Sequence, residues 1–188
     1  MRSTQVLIID NYDSFVYNIK QVVEKLGHSA SLIPNDRITH SDVRNADKVI
    51  ISPGPGNPSF EGDRGETDKI LRLGEQQVLG ICFGHQLLGM MLGCNIKVAD
   101  RIMHGEIDLI KHASSPLYRG IPETFEAVRY HSLVIEESDR VIVDAKSLSD
   151  GSIMGFHTPD MMVYGIQFHP ESFYTKCGDT ILRNFLEA

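Results

Sequence analysis

A cysteine flanked by glycines is the residue of this chain with the clearest chemical potential. Cys82 lies in Gly80-Ile81-Cys82-Phe83-Gly84, directly after the apolar run at residues 78–81 and directly before a helical pattern. Glycines on both sides allow a tight strand-to-helix turn that exposes the central side chain above a sheet. The helix N-terminus behind it favours a thiolate. A buried, inert cysteine is the alternative, but the turn pattern favours a nucleophile.

A histidine and a glutamate far along the chain are suited to serve that nucleophile. His169-Pro170-Glu171 follows a strand-like apolar pattern at residues 163–168. A thiol needs an imidazole to take its proton, and the imidazole needs a carboxylate on its other nitrogen. Pro170 predicts that the strand ends in a loop, where both side chains can point to the same edge of the sheet. His169 alone would more simply be a surface histidine, but together with Cys82 it is favoured as catalytic.

A third motif is rich in proline and glycine. Ser52-Pro53-Gly54-Pro55-Gly56-Asn57-Pro58 follows the strand-like residues 48–51 and continues neither as helix nor as strand, so it predicts a rigid loop. Glycine there lets a backbone N–H approach an oxyanion, with the N–H of Phe83 as a second donor. An ordinary turn is the alternative. The loop has neither of the glycine-rich phosphate-binding patterns of nucleotide sites.

Together these motifs resemble the class I glutamine amidotransferase family. Further motifs narrow the resemblance to the small glutaminase subunits of anthranilate synthase and aminodeoxychorismate synthase, and the similarity spans almost the whole chain. The class I resemblance rests on Gly80-Ile81-Cys82-Phe83-Gly84-His85-Gln86 together with His169-Pro170-Glu171. The motifs that narrow it are Asp10-Asn11-Tyr12-Asp13-Ser14-Phe15, Ser52-Pro53-Gly54-Pro55-Gly56, Met103-His104-Gly105 and Tyr130-His131-Ser132-Leu133.

The resemblance implies a role for each matching residue. Cys82 would be the nucleophile, His169 the general acid and base, and Glu171 its orienting carboxylate. The backbone N–H groups of Gly56 and Phe83 would stabilise the oxyanion. The residues implied in holding glutamine are Gly54, Pro55, Gly56, Gln86, Ser132 and Leu133. Without the resemblance, Gln86 would simply begin a helix and residues 130–133 would be a strand end.

The resemblance also implies an activity and a partner. The chain would hydrolyse L-glutamine through a γ-glutamyl thioester on Cys82, with no metal or organic cofactor of its own. It would pass ammonia to a chorismate-using synthase subunit in a hetero-oligomer, and magnesium is expected in that partner. The loop at residues 10–15 is expected near the partner, and the helix after it is expected to be capped by Asp13 or Ser14. One departure is Glu106-Ile107-Asp108, where relatives carry a Lys-Thr-Ser-like stretch; acidic residues there would alter the charge pattern of an interface.

Several functional alternatives stay open at this point. The acceptor pathway is most simply anthranilate synthesis, with aminodeoxychorismate synthesis or a stand-alone GMP synthetase glutaminase as alternatives. A cysteine hydrolase or peptidase would share Cys82 and a histidine but would not need Gln86, Ser132 and Leu133. A non-catalytic regulatory subunit is disfavoured because Cys82, His169 and Glu171 are all present.

Composition agrees with an enzyme that acts on small molecules. The 188 residues suit one α/β domain, and we predict a single domain over 1–188. A net charge of −7 and the lack of a basic run argue against nucleic-acid or anionic-membrane partners. Three cysteines without Cys-x-x-Cys spacing indicate neither a disulfide framework nor a zinc site, which suits the cytoplasm. No apolar segment approaches the length of a membrane span.

The elements that must position these motifs alternate along the chain. Strand-like runs at residues 6–9, 30–33, 48–51 and 78–81 are separated by helical patterns, which predicts a parallel sheet. Shorter candidate strands follow at 107–110, 125–130, 141–145, 153–157 and 163–168, and a helix with Ile181, Leu182, Phe185 and Leu186 ends the pattern. We therefore expect an α/β fold with a doubly wound, mostly parallel sheet flanked by helices, a small antiparallel extension, and the site at the carboxyl ends of the central strands.

Overall fold

The structure is a computed structural model that describes residues 3–188, so residues 1 and 2 of the predicted domain lie outside it. Nine strands form one sheet: β1 (Gln5–Asp10), β2 (Ser29–Pro34), β3 (Lys48–Ile51), β4 (Gln77–Ile81), β5 (Ile96–His112), β6 (Thr124–Ile135), β7 (Ile142–Ser147), β8 (Ile153–His157) and β9 (Val163–Ile166). The helices are α1 (Val16–Lys25), α2 (His40–Arg44), α3 (Glu61–Arg64), α4 (Thr67–Ile70), α5 (Phe83–Met91) and α6 (Gly178–Glu187), and a short 3-10 helix spans Pro116–Tyr118.

The parallel half of the sheet carries the predicted nucleophile. Its strands lie in the order β2-β1-β3-β4-β9, and every neighbouring pair is parallel. β9 is the last strand in the chain, but it lies beside β4 in the sheet, although β4 ends at residue 81 and β9 begins only at residue 163. The strand that precedes Cys82 therefore lies beside the strand that precedes His169.

Two apolar layers cover the faces of this parallel half. Successive side chains of a strand point to opposite faces, so Val6 and Ile8 pack with α1 and α6, whereas Leu7 and Ile9 pack with α5. The inner parallel strands β1, β3, β4 and β9 are largely buried on both sides and read as apolar runs, as expected for this kind of sheet, whereas the edge strand β2 is only partly buried. The predicted doubly wound architecture is confirmed.

The antiparallel extension contains the longest strands of the chain. The order continues β9-β8-β7-β5-β6, with each of these neighbours antiparallel. Strand β5 runs over 17 residues, whereas the sequence predicted only residues 107–110. Two register shifts interrupt its pairing with β6, between Val98 and Met103 and between His104 and Glu106. These irregularities break the alternation of buried and exposed side chains by which a strand is recognised in a sequence.

The predicted cap of the first helix is wrong. Phe15 occupies the N-cap position, without a side-chain cap, and α1 begins at Val16. The carboxylate of Asp13 accepts a hydrogen bond from the N–H of Phe15 at 2.7 Å. Asp13 therefore stabilises a turn that precedes α1 and does not cap the helix itself. The side chain of Phe15 is exposed to solvent and does not belong to the buried face of α1.

Among residues 3–188, none of the helices combines the length and the apolar character that crossing a membrane requires.

Candidate active site

Cys82 lies on the strained turn that its sequence predicts. It joins β4 to α5 with φ 51° and ψ −101°, a conformation that non-glycine residues rarely adopt. The turn is close-packed: a Cβ atom on Gly84 would lie 2.3 Å from the carbonyl oxygen of Ile51 in β3. Glycine is therefore required two residues after Cys82, because it lets the first turn of α5 rest on the end of the sheet.

The segment that follows β9 places the predicted base next to this turn. The N–H of Cys82 donates to the carbonyl of Ile166 at 2.8 Å, and the N–H of His169 donates to the carbonyl of Val128 in β6 at 3.0 Å. His169 Nδ1 lies 2.6 Å from Glu171 Oε1. The structure therefore brings the predicted pair together in the geometry of an imidazole oriented by a carboxylate.

The charge state of His169 is set by its two neighbours. Burial lowers the pKa of His169, but the neighbouring Cys82, and then the charge and hydrogen bond of Glu171, outweigh burial and hold the pKa well above its usual value. Its Nε2 has no hydrogen-bond partner among the described residues. That nitrogen is available to exchange a proton at the sulfur, while the Cys82 thiol contacts the carbonyl of Tyr130 at 3.5 Å.

The proline-glycine loop after β3 is held from outside the cleft. Gly56 has φ 93°, and a Cβ atom there would meet the Asp63 carboxylate at 2.4 Å. The same carboxylate accepts the N–H of Asn57 at 2.8 Å. Phe83 is the first residue of α5, so its N–H has no partner within the helix. The positions of Gly56 and Phe83 agree with the oxyanion roles predicted for them, which stay predictions.

A buried polar cluster that the sequence did not reveal supports this loop. Asn11 donates through its N–H to Ser52 Oγ and through Nδ2 to the Ser52 carbonyl, both at 2.9 Å. Asn35 Nδ2 bridges Asn11 Oδ1 at 3.0 Å and the carbonyl of Asp63 at 2.9 Å. Asn11 and Asn35 each follow the end of a strand, and Asn11 also lies in the motif at residues 10–15, but neither signal shows that the two side chains meet.

All the residues predicted to bind glutamine line one cleft beside Cys82. The cleft has a volume of about 330 Å³, which suits a small amino acid. Its lining residues are Gly54, Pro55, Gly56, Cys82, Gln86, Ile102, Met103, His104, Tyr130, His131, Ser132 and Leu133. Residues from the parallel half thus form one wall, and residues from β5 and β6 form the other.

Gln86 joins the two walls. Its Nε2 donates to the carbonyl of Leu133 at 3.0 Å and to Gln167 Oε1 at 3.1 Å. Because the amide nitrogen is used on the side of β6 and β9, the amide oxygen is the atom left for a ligand. An acceptor at this position suits the ammonium group of an amino acid.

The two acidic residues of β5 that depart from the family pattern, Glu106 and Asp108, lie in different environments. Glu106 is on the surface and pairs with Arg101. Asp108 is buried, with its Oδ2 bound to Arg129 Nη1 and to Ser147 Oγ. Only Glu106 therefore adds negative charge to the surface, because Asp108 faces a buried cation. The effect of this stretch on an interface stays a prediction.

No group of three histidine, cysteine, aspartate or glutamate side chains within residues 3–188 is arranged to hold a metal ion. The three cysteines are free thiols.

An α/β sheet that presents a cysteine on a strained turn, beside a histidine held by a carboxylate, is the architecture of a cysteine-dependent acyl-transfer enzyme. The family model "Glutamine amidotransferase class-I" matches residues 7–188. Anthranilate synthase component 2 of Saccharolobus solfataricus is 47% identical over 188 residues, covering 96% of each chain. The protein of the same name from Porphyra purpurea is 41% identical, covering 97% of this chain and 99% of its own.

A solved structure shares the fold of this chain over its full length. A Thermoplasma acidophilum protein provisionally named as one subunit of a GMP synthase has a TM-score of 0.90 and 26% identity, covering 100% of this chain and 94% of that chain. The chain belongs to the class I glutamine amidotransferase family and is a glutamine amidotransferase.

Proposed function

We propose that this chain is the glutaminase subunit of an anthranilate synthase, which releases ammonia from L-glutamine for tryptophan biosynthesis. The observation that carries the proposal is the cleft, because it gathers Cys82 and every residue predicted to hold glutamine. The relative that is 47% identical over nearly the full length supports the pathway.

The residues around the cleft support a two-step reaction. Cys82 attacks the side-chain amide carbon of glutamine, and the N–H groups of Gly56 and Phe83 stabilise the oxyanion. His169, kept protonated beside Cys82 and Glu171, protonates the departing nitrogen, so the C–N bond breaks and ammonia leaves. The γ-glutamyl thioester that remains is hydrolysed by water activated by His169, which yields glutamate. Neither a metal nor an organic cofactor takes part in these steps.

The product requires a partner. Ammonia is a nucleophile only while unprotonated, so it must reach an acceptor site without equilibrating with bulk water. We propose that a chorismate-using synthase subunit, with its own magnesium, docks over the cleft in a hetero-oligomer and receives it. The three free thiols of this chain agree with a cytoplasmic complex.

Exposed aromatic rings near the cleft support such docking. The loops after β1, β3 and β9 share the carboxyl edge of the parallel strands, and they carry solvent-exposed rings at Tyr12, Phe15, Phe60, Phe173 and Tyr174. Phe173 is 92% exposed. Aromatic side chains are typical of the centre of a protein interface, so a partner seated here would bury them.

Replacement of the nucleophile tests the proposal. In the assembled complex, Cys82→Ser should reduce glutamine-dependent formation of anthranilate by about 10³-fold or more, whereas formation from added ammonium salt should be unchanged. Cys177→Ser is the matched control, because burial raises the pKa of Cys177 to about 11 and makes that thiol inert. It should leave both rates unchanged.

Two results would contradict the proposal. Undiminished ammonia release from glutamine by Cys82→Ser would exclude the thioester. Amination of chorismate to aminodeoxychorismate, or of xanthosine monophosphate to GMP, by the complex purified with its natural partner would assign the chain to another pathway.

A further inference from the structure

A buried arginine behind the cleft has no role in the chemistry above. The side chain of Arg129 in β6 is 0% exposed. Its Nη1 binds Asp108 Oδ2 and Ser147 Oγ, and its Nη2 binds Asp150 Oδ2 at 2.8 Å. Burial raises the pKa of the Asp108 carboxyl, but hydrogen bonds from Ser147 and then Arg129 outweigh it and lower the pKa overall. Two ionised carboxylates therefore fix one guanidinium in place.

The Nε–H donor of this guanidinium selects one form of a neighbouring histidine. Arg129 Nε donates to His131 Nε2 at 3.0 Å. Since arginine can only donate, Nε2 must be the unprotonated nitrogen of His131, and its proton must lie on Nδ1. Burial and then the charge of Arg129 lower the pKa of His131 to about 4, so the ring stays neutral near neutral pH.

That proton is directed at the wall of the cleft. His131 Nδ1 lies 3.0 Å from the carbonyl oxygen of Leu133. The same oxygen accepts the Nε2–H of Gln86 at 3.0 Å, so one carbonyl receives a donor from each wall. The position of this oxygen fixes the backbone of Ser132 and Leu133 and the orientation of the Gln86 amide.

We propose that Arg129 and His131 are positioning residues that set the Leu133 carbonyl, and through it the Gln86 amide, for recognition of the amino-acid end of glutamine. This inference rests on the proposed function, since it assumes that glutamine binds in this cleft. It assigns Arg129 and His131 to substrate affinity and leaves the reactivity of the Cys82 sulfur to His169.

Paired substitutions separate this role from simple structural support. The amide nitrogen of His131→Asn takes roughly the place of Nδ1 and keeps the donor to Leu133, whereas the amide of His131→Gln reaches toward Nε2 and loses it. Arg129→Lys keeps a positive charge beside Asp108 but lacks the Nε–H group. Cys82 is labelled in each variant with the chloroketone analogue of glutamine and, separately, with iodoacetamide, which needs no amino-acid site. Thermal unfolding is recorded for each variant.

The expected result is a selective loss of affinity. His131→Gln and Arg129→Lys should raise the concentration of chloroketone that gives half-maximal labelling by about tenfold, since small displacements of positioning groups have effects of this order or more. His131→Asn should stay within threefold of wild type, and the iodoacetamide rate should stay within twofold throughout.

The inference is overturned if His131→Asn and His131→Gln label alike, or if iodoacetamide labelling falls in parallel with the unfolding temperature. A wild-type chain that iodoacetamide labels but the chloroketone does not would instead overturn the proposed function. Wild-type labelling by both reagents with no effect of any variant overturns the positioning role alone.

Discussion

Gly84→Ala is the substitution that tests most directly whether the close packing of α5 on the sheet positions the site. The new Cβ would lie 2.3 Å from the Ile51 carbonyl oxygen, whereas ordinary contact begins at 3.4 Å. The N-terminus of α5 must therefore move by about 1.1 Å away from β3, as the difference between these two distances requires. That segment carries Phe83 and Gln86 and follows Cys82 directly.

A displacement of this size should reduce glutaminase turnover in the complex by about 10²-fold. Overpacking at a buried site should also lower the free energy of unfolding by about 1–3 kcal/mol, measured by urea titration. Gly62→Ala in α3 is the matched control: nothing lies within 4 Å of its new Cβ, so activity should hold and stability should stay equal or rise by up to about 1 kcal/mol. If Gly84→Ala retains wild-type turnover and stability, the close-packed turn does not position the nucleophile.

Two further predictions concern charge. Glu171→Gln removes a carboxylate that helps to raise the pKa of His169, so turnover should fall by about 10²-fold and the alkaline limb of its pH profile should move to lower pH; an unmoved limb would contradict this. Burial lowers the pKa of Lys48 to about 8 from 10.5, so the unfolded chain binds more protons between these values and native stability rises with pH there. Urea unfolding should show that the free energy of unfolding of wild type rises from pH 8 to pH 10 relative to that of Lys48→Met. An equal change in both proteins would refute the lowered pKa of Lys48.

The predictable parts of this molecule are those with local signals. Strands β1, β3 and β4 each contain an apolar run, and α6 follows its apolar spacing at Ile181, Leu182, Phe185 and Leu186, so their positions follow from pattern alone. The turn at Cys82 is likewise local, because its glycines meet atoms only a few residues away or on the adjacent strand.

The parts that escaped prediction depend on contacts between distant segments. Asn11 and Asn35 matter because two loops 24 residues apart meet behind the cleft. Arg129 shares a strand face with Phe125 and Ala127, and a charged residue at such a core-facing position is a usable signal for a buried ion pair. Its partners Asp108 and Asp150 could not be assigned without the pairing of β5 with β6, whose bulges hide the register.

The backbone conformation of Cys82 lowers conformational stability while it serves catalytic activity. A non-glycine residue held at φ 51° and ψ −101° costs of order 1–3 kcal/mol, a sizeable share of the margin by which a native protein exceeds its unfolded state. A chain selected only to persist in the cell would carry glycine at this position and tolerate heat better. A glycine at this position would remove the sulfur on which the proposed reaction depends, so the strained conformation is retained for activity and not for stability.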